Sequence, residues 1–400
     1  MTPPDPQPLQ GVRVLELGSF IAGPFAGQLL ADYGAEVLKI EPPTIGDPMR
    51  RWGVCIDGRS LWWPSIARGK KSLAIDLHQP EGQALVLRLA KECDVVLENF
   101  APGRLEAWGL GYEELSTVNP GLILVRVSGF GQTGPRALEP GFGSVGEAMG
   151  GLRYTTGFAD RPPARTGISL GDSLAATFAV IGTLLALYER TSGGLGQVVD
   201  VALYESVFAF MESLVADYEV GGVVRGRSGT VLSAVAPSNI YNTLDAVPVL
   251  IAANADSVFR RLALATGVID PDDARFATHE GRSEHMETLD SLVGQWVGSQ
   301  PFDQVSATLA ANRVPFSTIN SAEEILADQQ FAARNMIQRF QAGFAKPVPM
   351  AGVVPRLSRT PGRISQAGPL LGEHTTAVLG DLLKLSETDL AALTEKGVIA

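Results

Sequence analysis

The sequence predicts an α/β protein in which a parallel sheet, formed by the first half of the chain, is followed by a smaller α+β domain. Residues 12–41 show the order strand, helix, strand, which is the length of one βαβ unit, and the same order recurs in residues 72–100. From about Val220 the glycines become denser and the patterning changes, which indicates a domain boundary. A chain of 400 residues is also longer than one core usually covers.

Composition argues against several classes of function. Apolar residues make up 45% of the chain and charged residues 19%, and the net charge is −11, so a general nucleic-acid surface is not favoured. The two cysteines, Cys55 and Cys93, form no CxxC motif and fit a reducing compartment. Signal-peptide features and an uninterrupted apolar run of about 18 residues are absent, so we expect a cytoplasmic protein without a membrane span.

The elements of the first domain follow from local pattern. Residues 1–10 are rich in proline, and we expect them to be poorly ordered. A Gly-rich loop at 128–135 follows a buried strand, and the carboxyl end of a parallel strand is the usual ligand-facing edge of such a sheet. Glycine turns follow at 141–157. We predict strands at 12–17, 36–41, 72–77, 94–100, 122–127 and 197–203, and helices at 24–33, at 80–91, after Gly103, after Asp172 and from 203 to 212.

The second domain has a different sequence pattern. Residues 221–229 form a loose, glycine-containing stretch with two arginines, Arg225 and Arg227. Beyond it we predict strands at 239–243, 248–252 and 314–320 and helices at 256–265, 284–297 and 322–328. The tail from about Ala333 is rich in strand and loop patterns and closes with a polar helix.

Several common catalytic motifs are missing. The glycines after the first strand, Gly18, Gly23 and Gly27, do not have the GxGxxG spacing, although Glu41 lies where an acidic ribose ligand would be expected. Residues 69–72 are similar to the end of a P-loop, but Pro64 stands in place of the required glycine. There is no GxSxG elbow, and the four histidines show no zinc-ligand spacing, so no metal site is expected.

Asp172 lies at the predicted start of a long apolar helix. Ile168 and Leu170 suggest a strand-like approach that turns through Gly171 into a long apolar helix. A carboxylate at a helix start meets unpaired N–H groups and the positive end of the helix dipole, both of which favour its ionised form. Asp is also a preferred N-cap, so the local sequence alone favours a capping role over a nucleophilic one. The sequence indicates no metal site and no catalytic histidine, however, so the nucleophile would have to be a carboxylate or a hydroxyl.

Five stretches of the sequence carry recognisable motifs: residues 9–17 with Ala22-Gly-Pro24, residues 34–41, residues 70–76, residues 98–103, and Leu170-Gly-Asp172 with its helix and residues 196–200. Taken together, they resemble the class III (formyl-CoA transferase-like, CaiB/BaiF-like) CoA-transferases. The resemblance extends over nearly the whole chain in the right order, to residues 371–374.

This resemblance implies that Asp172 is the catalytic nucleophile. Its carboxylate would attack an acyl-CoA thioester, forming an aspartyl-acyl anhydride and then an aspartyl-CoA thioester. Coenzyme A thioesters would be substrates, and no tightly bound cofactor is expected. The family's CoA pocket carries over to Ile21, Ala22, Ile75, Asn99, Phe100 and Ala101; Arg104 is added as the nearest cation.

Two departures from the transferase pattern stand out, and a third feature distinguishes the chain from the racemases. Pro42 replaces a basic or aromatic residue that often follows the second strand. The glycine loop that covers the aspartyl intermediate corresponds to residues 252–255, which include Ala253 and Asn254 and carry alanines instead of glycines. In 2-methylacyl-CoA racemases of the superfamily a His partners the Asp, but residues 141–145 contain no His. Phe142 in this segment, Ala253 and Asn254 are candidate substrate contacts.

The resemblance also implies a Rossmann-like large domain built from both chain ends (residues 1–220 and 333–400), a small domain at 221–332, and an interlocked homodimer. Residues 228–242 most resemble members that use succinyl-CoA and short dicarboxylates. Arg153 and Arg165 are candidate partners for a second substrate carboxylate, with Arg225 and Arg227 behind them. A racemase, and a dinucleotide-dependent oxidoreductase from a different class, remain alternatives.

Overall fold

The structure of this protein is a computed structural model that describes residues 6–400. Residues 1–5 of the proline-rich segment, predicted to be poorly ordered, lie outside the described residues. Contacts within the chain group it into two compact units. The first unit contains the chain through Leu152, Thr166–Glu212 and Gln329–Ala400; the second contains Arg153–Arg165 and Ser213–Asp328. Relative to the predicted domain ranges, the main difference is the segment Arg153–Arg165.

The strands of the described residues form four sheets. Six of them make one parallel sheet with the order β5-β2-β1-β6-β7-β8, so the predicted α/β fold with a parallel central sheet is confirmed. The strands are β1 (Arg13–Glu16), β2 (Glu36–Glu41), β3 (Cys55–Ile56), β4 (Arg59–Ser60), β5 (Lys70–Ala74), β6 (Val95–Glu98), β7 (Ile123–Ser128), β8 (Val198–Ala202), β9 (Ser238–Asn242), β10 (Pro248–Ala252), β11 (Phe316–Thr318), β12 (Ile337–Phe340) and β13 (Val348–Ala351).

Helices connect the parallel strands and build the second unit. In addition to a 3-10 helix at Pro48–Arg51, the helices are α1 (Ala22–Asp32), α2 (Trp63–Ile66), α3 (Pro80–Lys91), α4 (Arg104–Ala107), α5 (Tyr112–Val118), α6 (Gly143–Met149), α7 (Leu152–Thr155), α8 (Leu170–Gly193), α9 (Leu203–Phe208), α10 (Leu214–Glu219), α11 (Asp256–Thr266), α12 (His279–Glu284), α13 (Met286–Gly298), α14 (Phe302–Ala311), α15 (Ala322–Ala327), α16 (Gln329–Ala333), α17 (Thr375–Leu383) and α18 (Glu387–Glu395).

Five strands of the central sheet are buried on both faces, because successive side chains point to opposite sides and both sides are covered, whereas the edge strand β8 is partly exposed. On one face, Leu15 and Leu38 pack in a core with residues of α3 and α17, which ties the end of the chain to its beginning. On the other face, Val14 and Val37 pack with α1 and α8, whose contact is lined by small residues. Alanines on both helices allow the close approach; they include Ala22, Ala26, Ala175, Ala176 and Ala179.

The second unit has its own sheet and core. Strands β9, β10 and β11 are antiparallel, with β10 in the centre; β9 and β10 form a hairpin, whereas helices α11 to α14 lie between β10 and β11 in the chain. Val249 and Ile251 point from β10 into a core shared with α11, α13 and α14.

Two local predictions near Asp172 are wrong. Leu170 and Gly171 already belong to α8, so no strand leads into this helix. The N-cap is Ser169, and Asp172 therefore lies in the first turn as the third helical residue instead of capping it. The alternation of Ile168 and Leu170 resembles a strand, but the first turn of α8 packs on α6, and this tertiary contact decides the conformation.

Helix α8 has an unusual surface. It is long and apolar enough to cross a membrane, judged by length and composition only, and 33% of its most apolar window is buried. A core helix satisfies the same criterion, and α8 packs against α1 and β7 on one side. Its other side exposes large apolar side chains, among them Leu185 (64% exposed) and Tyr188 (79% exposed). An apolar face of this kind is typical of an interaction surface.

Candidate active site

Asp172 is positioned by the start of α8 and by a neighbouring helix. Its side chain is half-buried in the first turn. The hydroxyl of Ser169 makes no capping hydrogen bond; instead, the Gly171 N–H donates to Glu147 Oε1 at 3.2 Å. Glu147 is fully buried in α6, so a carboxylate from another helix satisfies a free N–H at this helix end. Asp172 consequently lies near the positive end of the α8 dipole without being the N-cap.

The carboxylate of Asp172 lies directly against the backbone of Gly143, the first residue of α6. A Cβ on Gly143 would lie 2.6 Å from Asp172 Cγ. A second close approach brings the loop that precedes α6 across the end of β7. A Cβ on Gly129 would lie 2.7 Å from the Gly141 Cα. These glycines therefore serve close backbone packing around Asp172.

A cavity of about 340 Å³ opens beside Asp172 at the carboxyl ends of β1, β6 and β7, the ligand-binding edge of parallel α/β sheets. It brings together seven of the predicted site residues from four separate stretches of sequence: Ile21, Ala22, Asn99, Phe100, Ala101, Phe142 and Asp172. Ser128 and Gly129, from the predicted ligand-facing loop, also line it. Among its lining residues there is no histidine and no cation; the only other charged side chain is Glu139.

A smaller cavity of about 90 Å³ adjoins the first one, because Phe100 lines both. Ile75 and Pro42 line this second cavity, together with His78 and Trp108. Arg104 does not line either cavity. It begins α4, is exposed, and places its guanidinium carbon 5.6 Å from the centre of the Trp108 ring. Its position is thus beside the smaller cavity, which Trp108 lines.

Buried charges support the strand ends below the cavity. Lys39 Nζ lies 3.1 Å from Glu16 Oε1 and 2.8 Å from Asp47 Oδ2, and it donates to the Gly18 carbonyl at 2.8 Å. Lys70 Nζ donates to Glu16 Oε2 at 2.7 Å, and all four side chains are fully buried. Burial lowers the pKa of Lys70 to about 8, and the nearby Glu16 carboxylate only partly offsets this effect. The network ties β1, β2 and β5 together beneath the β1–α1 turn.

A second buried group lies under the loop that carries Asn99 and Phe100. Arg126 on β7 bonds to Glu98 Oε1 at 2.7 Å and to Glu106 Oε1 at 2.6 Å, and Glu98 Oε2 accepts from the Phe100 N–H at 2.6 Å. Burial raises the pKa of Glu98 to about 7 despite the opposing contact with Arg126. Glu98 therefore anchors the start of the cavity-lining loop from below.

Four predicted substrate contacts belong to the second unit. Arg153 is half-buried in α7, and Arg165 is exposed in a loop. Ala253 is fully buried in the core of this unit, and its N–H donates to the Pro237 carbonyl at 2.8 Å, so the predicted contact of Ala253 with substrate is not available in this structure. The Asn254 carbonyl accepts a 2.9 Å hydrogen bond from the buried Arg282.

The two arginines predicted behind these contacts also have partners within the second unit. Arg225 lies 3.6 Å from Asp217, and the Arg227 Nε donates to the Phe158 carbonyl at 3.1 Å.

The structure adds cavity residues that the sequence did not indicate. Phe20 lines the cavity, yet it adopts a φ of 64°, a left-handed conformation that no pattern predicts for a phenylalanine. Leu138 and Glu139 reach the cavity from the loop before α6. The glycines within residues 129–143 are the sequence feature that could have indicated Leu138 and Glu139, since they mark a backbone that folds back on itself. Among residues 6–400, no group of three or more His, Cys, Asp or Glu side chains is arranged to hold a metal ion.

Comparison with known proteins agrees with the family that the sequence motifs suggest. The CoA-transferase family III profile matches residues 9–375. A succinyl-CoA–D-citramalate CoA-transferase from Chloroflexus aurantiacus is 55% identical over 396 residues, which cover 98% of each chain. A succinyl-CoA–L-malate CoA-transferase alpha subunit from Chloroflexus aurantiacus is 39% identical over 398 residues, covering 98% of this chain and 92% of the relative.

A solved structure extends this agreement to the fold. The crystal structure of a CaiB/BaiF family protein from Brucella suis has a TM-score of 0.82 and 34% identity, and covers 94% of this chain and 99% of its own. The predicted resemblance is confirmed: the chain belongs to CoA-transferase family III and is an enzyme of the CoA-transferase class.

Proposed function

We propose that this enzyme transfers CoA from succinyl-CoA to a short dicarboxylic acid of the citramalate or malate type, with Asp172 as the nucleophile. The observation that carries the proposal is the position of Asp172 in one cavity with six other residues that the family motifs assign to the site. The donor and acceptor are inferred from the relatives that are 55% and 39% identical over nearly the full chain.

The proposed reaction needs only carboxylates and a thioester. Asp172 attacks the thioester carbonyl of the donor, and CoA leaves as a thiolate, which gives an aspartyl-acyl anhydride. The thiolate attacks the aspartyl carbonyl, which releases the donor acid and leaves an aspartyl-CoA thioester. The incoming carboxylate attacks this thioester, which expels the CoA thiolate and forms a new anhydride. The thiolate then attacks the substrate carbonyl of this anhydride. The new acyl-CoA leaves, and the Asp172 carboxylate is regenerated.

The chain's own residues supply positioning for these steps. The first turn of α8 directs backbone N–H groups toward the Asp172 side, which favours the ionised carboxylate. The larger cavity provides room for the acyl group beside Asp172, and the CoA thioester would extend along residues 99–101 and Ile75, which line the two adjoining cavities, toward Arg104 beside the smaller one. A second substrate carboxylate would need a cationic partner, and we propose Arg153 or Arg165 for that role.

The proposal also includes the compartment and the oligomeric state of the enzyme. We infer a cytoplasmic homodimer, interlocked in the manner of the family, that meets no nucleic acid or membrane. The exposed apolar face of α8 supports the dimer, because such a surface favours burial against a partner. The racemase alternative is disfavoured because the cavity lining lacks a second base of the histidine type beside Asp172. Similarity to family III throughout the chain also disfavours the oxidoreductase alternative.

Donor and acceptor assays test the proposal. The pure enzyme is incubated with succinyl-CoA, acetyl-CoA or butyryl-CoA and with citramalate, malate or acetate, and acyl-CoA products are separated by chromatography. We expect kcat/KM for succinyl-CoA to exceed that for the monocarboxylic donors at least ~10-fold, the effect of one satisfied charge contact. Hydroxylamine or borohydride should trap the acyl enzyme at Asp172, and Asp172→Ala should lose both trapping and turnover. Equal rates with all donors would remove the dicarboxylate assignment and leave the CoA-transferase class.

A further inference from the structure

The turn between β1 and α1 holds a strained residue at the wall of the cavity. Phe20 has a φ of 64°, where a residue with a bulky side chain is disfavoured, and it lines the cavity that contains Asp172. Strain of this kind persists only where the surrounding structure fixes the backbone. Contacts on both sides of the turn supply that constraint.

Asn99 fixes the residue before Phe20. Its Oδ1 accepts from the Ser19 N–H at 2.8 Å, and its Nδ2 donates to the Ser19 carbonyl at 2.8 Å. One carboxamide thus holds both backbone groups of a single residue. Gly18 makes room for it, because a Cβ on Gly18 would lie 2.5 Å from Asn99 Oδ1. The sequence around the turn is therefore built to receive this side chain.

Asp47 fixes Phe20 itself. Its Oδ1 accepts from the Phe20 N–H at 3.3 Å and from the Met49 N–H at 2.9 Å. Asp47 is buried and is held in turn by Lys39, whose ammonium group also binds the Gly18 carbonyl. Three consecutive residues, Gly18 to Phe20, are thereby anchored by side chains from other parts of the chain.

The anchored turn is connected to the nucleophile by packing. The Phe20 ring lies edge-on to the Phe142 ring, with centroids 6.3 Å apart. Phe142 is the N-cap residue of α6 and precedes Gly143, whose backbone lies against the Asp172 carboxylate. A shift of Phe20 would therefore release one wall of the cavity next to the reacting atoms.

We propose that Asn99 is a positioning residue, which holds the Ser19–Phe20 turn and through it the cavity wall at Phe142. Binding acyl-CoA is then not the main task of its side chain. This inference rests on the proposed function for its catalytic readout. In this arrangement Asn99 acts on the chemical step more than on the affinity for CoA, because its amide engages the backbone of the turn.

A double-mutant cycle tests the proposal. Asn99→Ala should lower kcat about 10- to 100-fold, while the Kd for CoA, measured by calorimetry, changes less than about 3-fold. Phe20→Gly permits the left-handed backbone without strain. In that background, Asn99→Ala should lower kcat only about 3-fold or less. Asp47→Asn weakens the second anchor and should also lower kcat with little effect on the Kd. Asn320→Ala, an exposed asparagine in the second unit, is the control and should leave both constants unchanged.

Other results would overturn the positioning role. A Kd for CoA that rises tenfold or more in Asn99→Ala, at unchanged kcat, would identify a direct ligand contact. The same loss of kcat in the wild-type and Phe20→Gly backgrounds would show that Asn99 does not act through the turn. If Asn99→Ala does not fold, Asn99→Asp replaces it, since it keeps the acceptor for Ser19 and loses the donor.

A crystal structure of the Asn99 variant separates this inference from the proposed function. Phe20 should leave its left-handed conformation regardless of which substrates are turned over. An unchanged Phe20 backbone would overturn the inference, whereas absence of CoA transfer in the wild type would overturn only the proposed function.

Discussion

Gly143 and the Asp172 carboxylate occupy adjoining space: a Cβ built on Gly143 would lie 2.6 Å from Asp172 Cγ and 2.9 Å from Oδ1. The atoms that would have to move are the end of a flexible side chain, so Gly143→Ala should fold and displace the carboxylate. We expect kcat to fall about 100-fold, as for a nucleophile misplaced by about 1 Å, with little change in Tm.

Gly380→Ala provides the matched control for this prediction. Gly380 is also helical and belongs to the same unit, but its Cβ would meet only the Leu385 carbonyl at 3.9 Å. Steady-state kinetics and thermal unfolding of both variants test the predicted loss of kcat and the unchanged Tm. Normal turnover in Gly143→Ala would contradict the assigned position of the nucleophile.

The capping hydrogen bond that Glu147 makes to α8 should not require the negative charge of Glu147. Glu147→Gln keeps an oxygen that accepts from Gly171, whereas Glu147→Ala leaves this N–H without that acceptor and opens a buried space. The lost cap alone costs about 1 kcal/mol, and each kcal/mol lowers Tm by about 2–4 °C in a domain of this size. We therefore expect a lower Tm and a lower kcat for the alanine variant and a smaller effect for glutamine. Equal damage from both substitutions would contradict the capping role.

Stability should depend on the ionisation of Glu98. Its pKa is about 7 in the folded protein and 4.5 ordinarily, so between these values the folded state binds a proton that the unfolded chain has released. This contribution, on the order of 3 kcal/mol, is complete below about pH 4.5 and is lost as pH rises through about 7. Glu98→Gln cannot ionise. The Tm of wild type relative to this variant should therefore fall between pH 5 and pH 8, and a constant difference would contradict the prediction.

Substrate selectivity should depend on an arginine of the second unit. If Arg153 or Arg165 pairs with the second carboxylate, its replacement by alanine should lower kcat/KM for succinyl-CoA about 10-fold or more and leave butyryl-CoA nearly unchanged. Arg260→Ala is the control, because Arg260 is an exposed arginine on α11 that pairs with Asp272. Parallel losses for both donors would indicate a structural effect instead of recognition of the carboxylate.

The exposed face of α8 should mediate dimer formation. We expect the wild type to remain dimeric on dilution, since separating interlocked subunits would require opening a closed ring. Leu185→Glu places a charge on this face and should give aggregates or misassembled chains, whereas Leu264→Glu, at a leucine of similar exposure on α11, should not. Light scattering and mass photometry provide the measurement. Reversible folded monomers of the wild type would contradict the interlocked arrangement.

Much of this protein was determined by the sequence alone. The alternation of strand and helix patterns predicted the parallel sheet, and helix α3 lies at the predicted residues 80–91 because Pro80 and the apolar spacing define it locally. The motifs around Gly23, Asn99 and Asp172 identified the family, because each occupies a place in a characteristic order. Such signals are local or sequential, and so they can be read without coordinates.

Tertiary structure decided the details of the site. The start of α8 at Leu170, the left-handed conformation of Phe20 and the cap from Glu147 all depend on residues distant in sequence. Asn99, which the sequence assigned to CoA, holds the backbone of Ser19, a residue 80 positions away. Local propensity is a weak preference that packing and long-range hydrogen bonds override, so these relationships appear only when the distant segments are brought together.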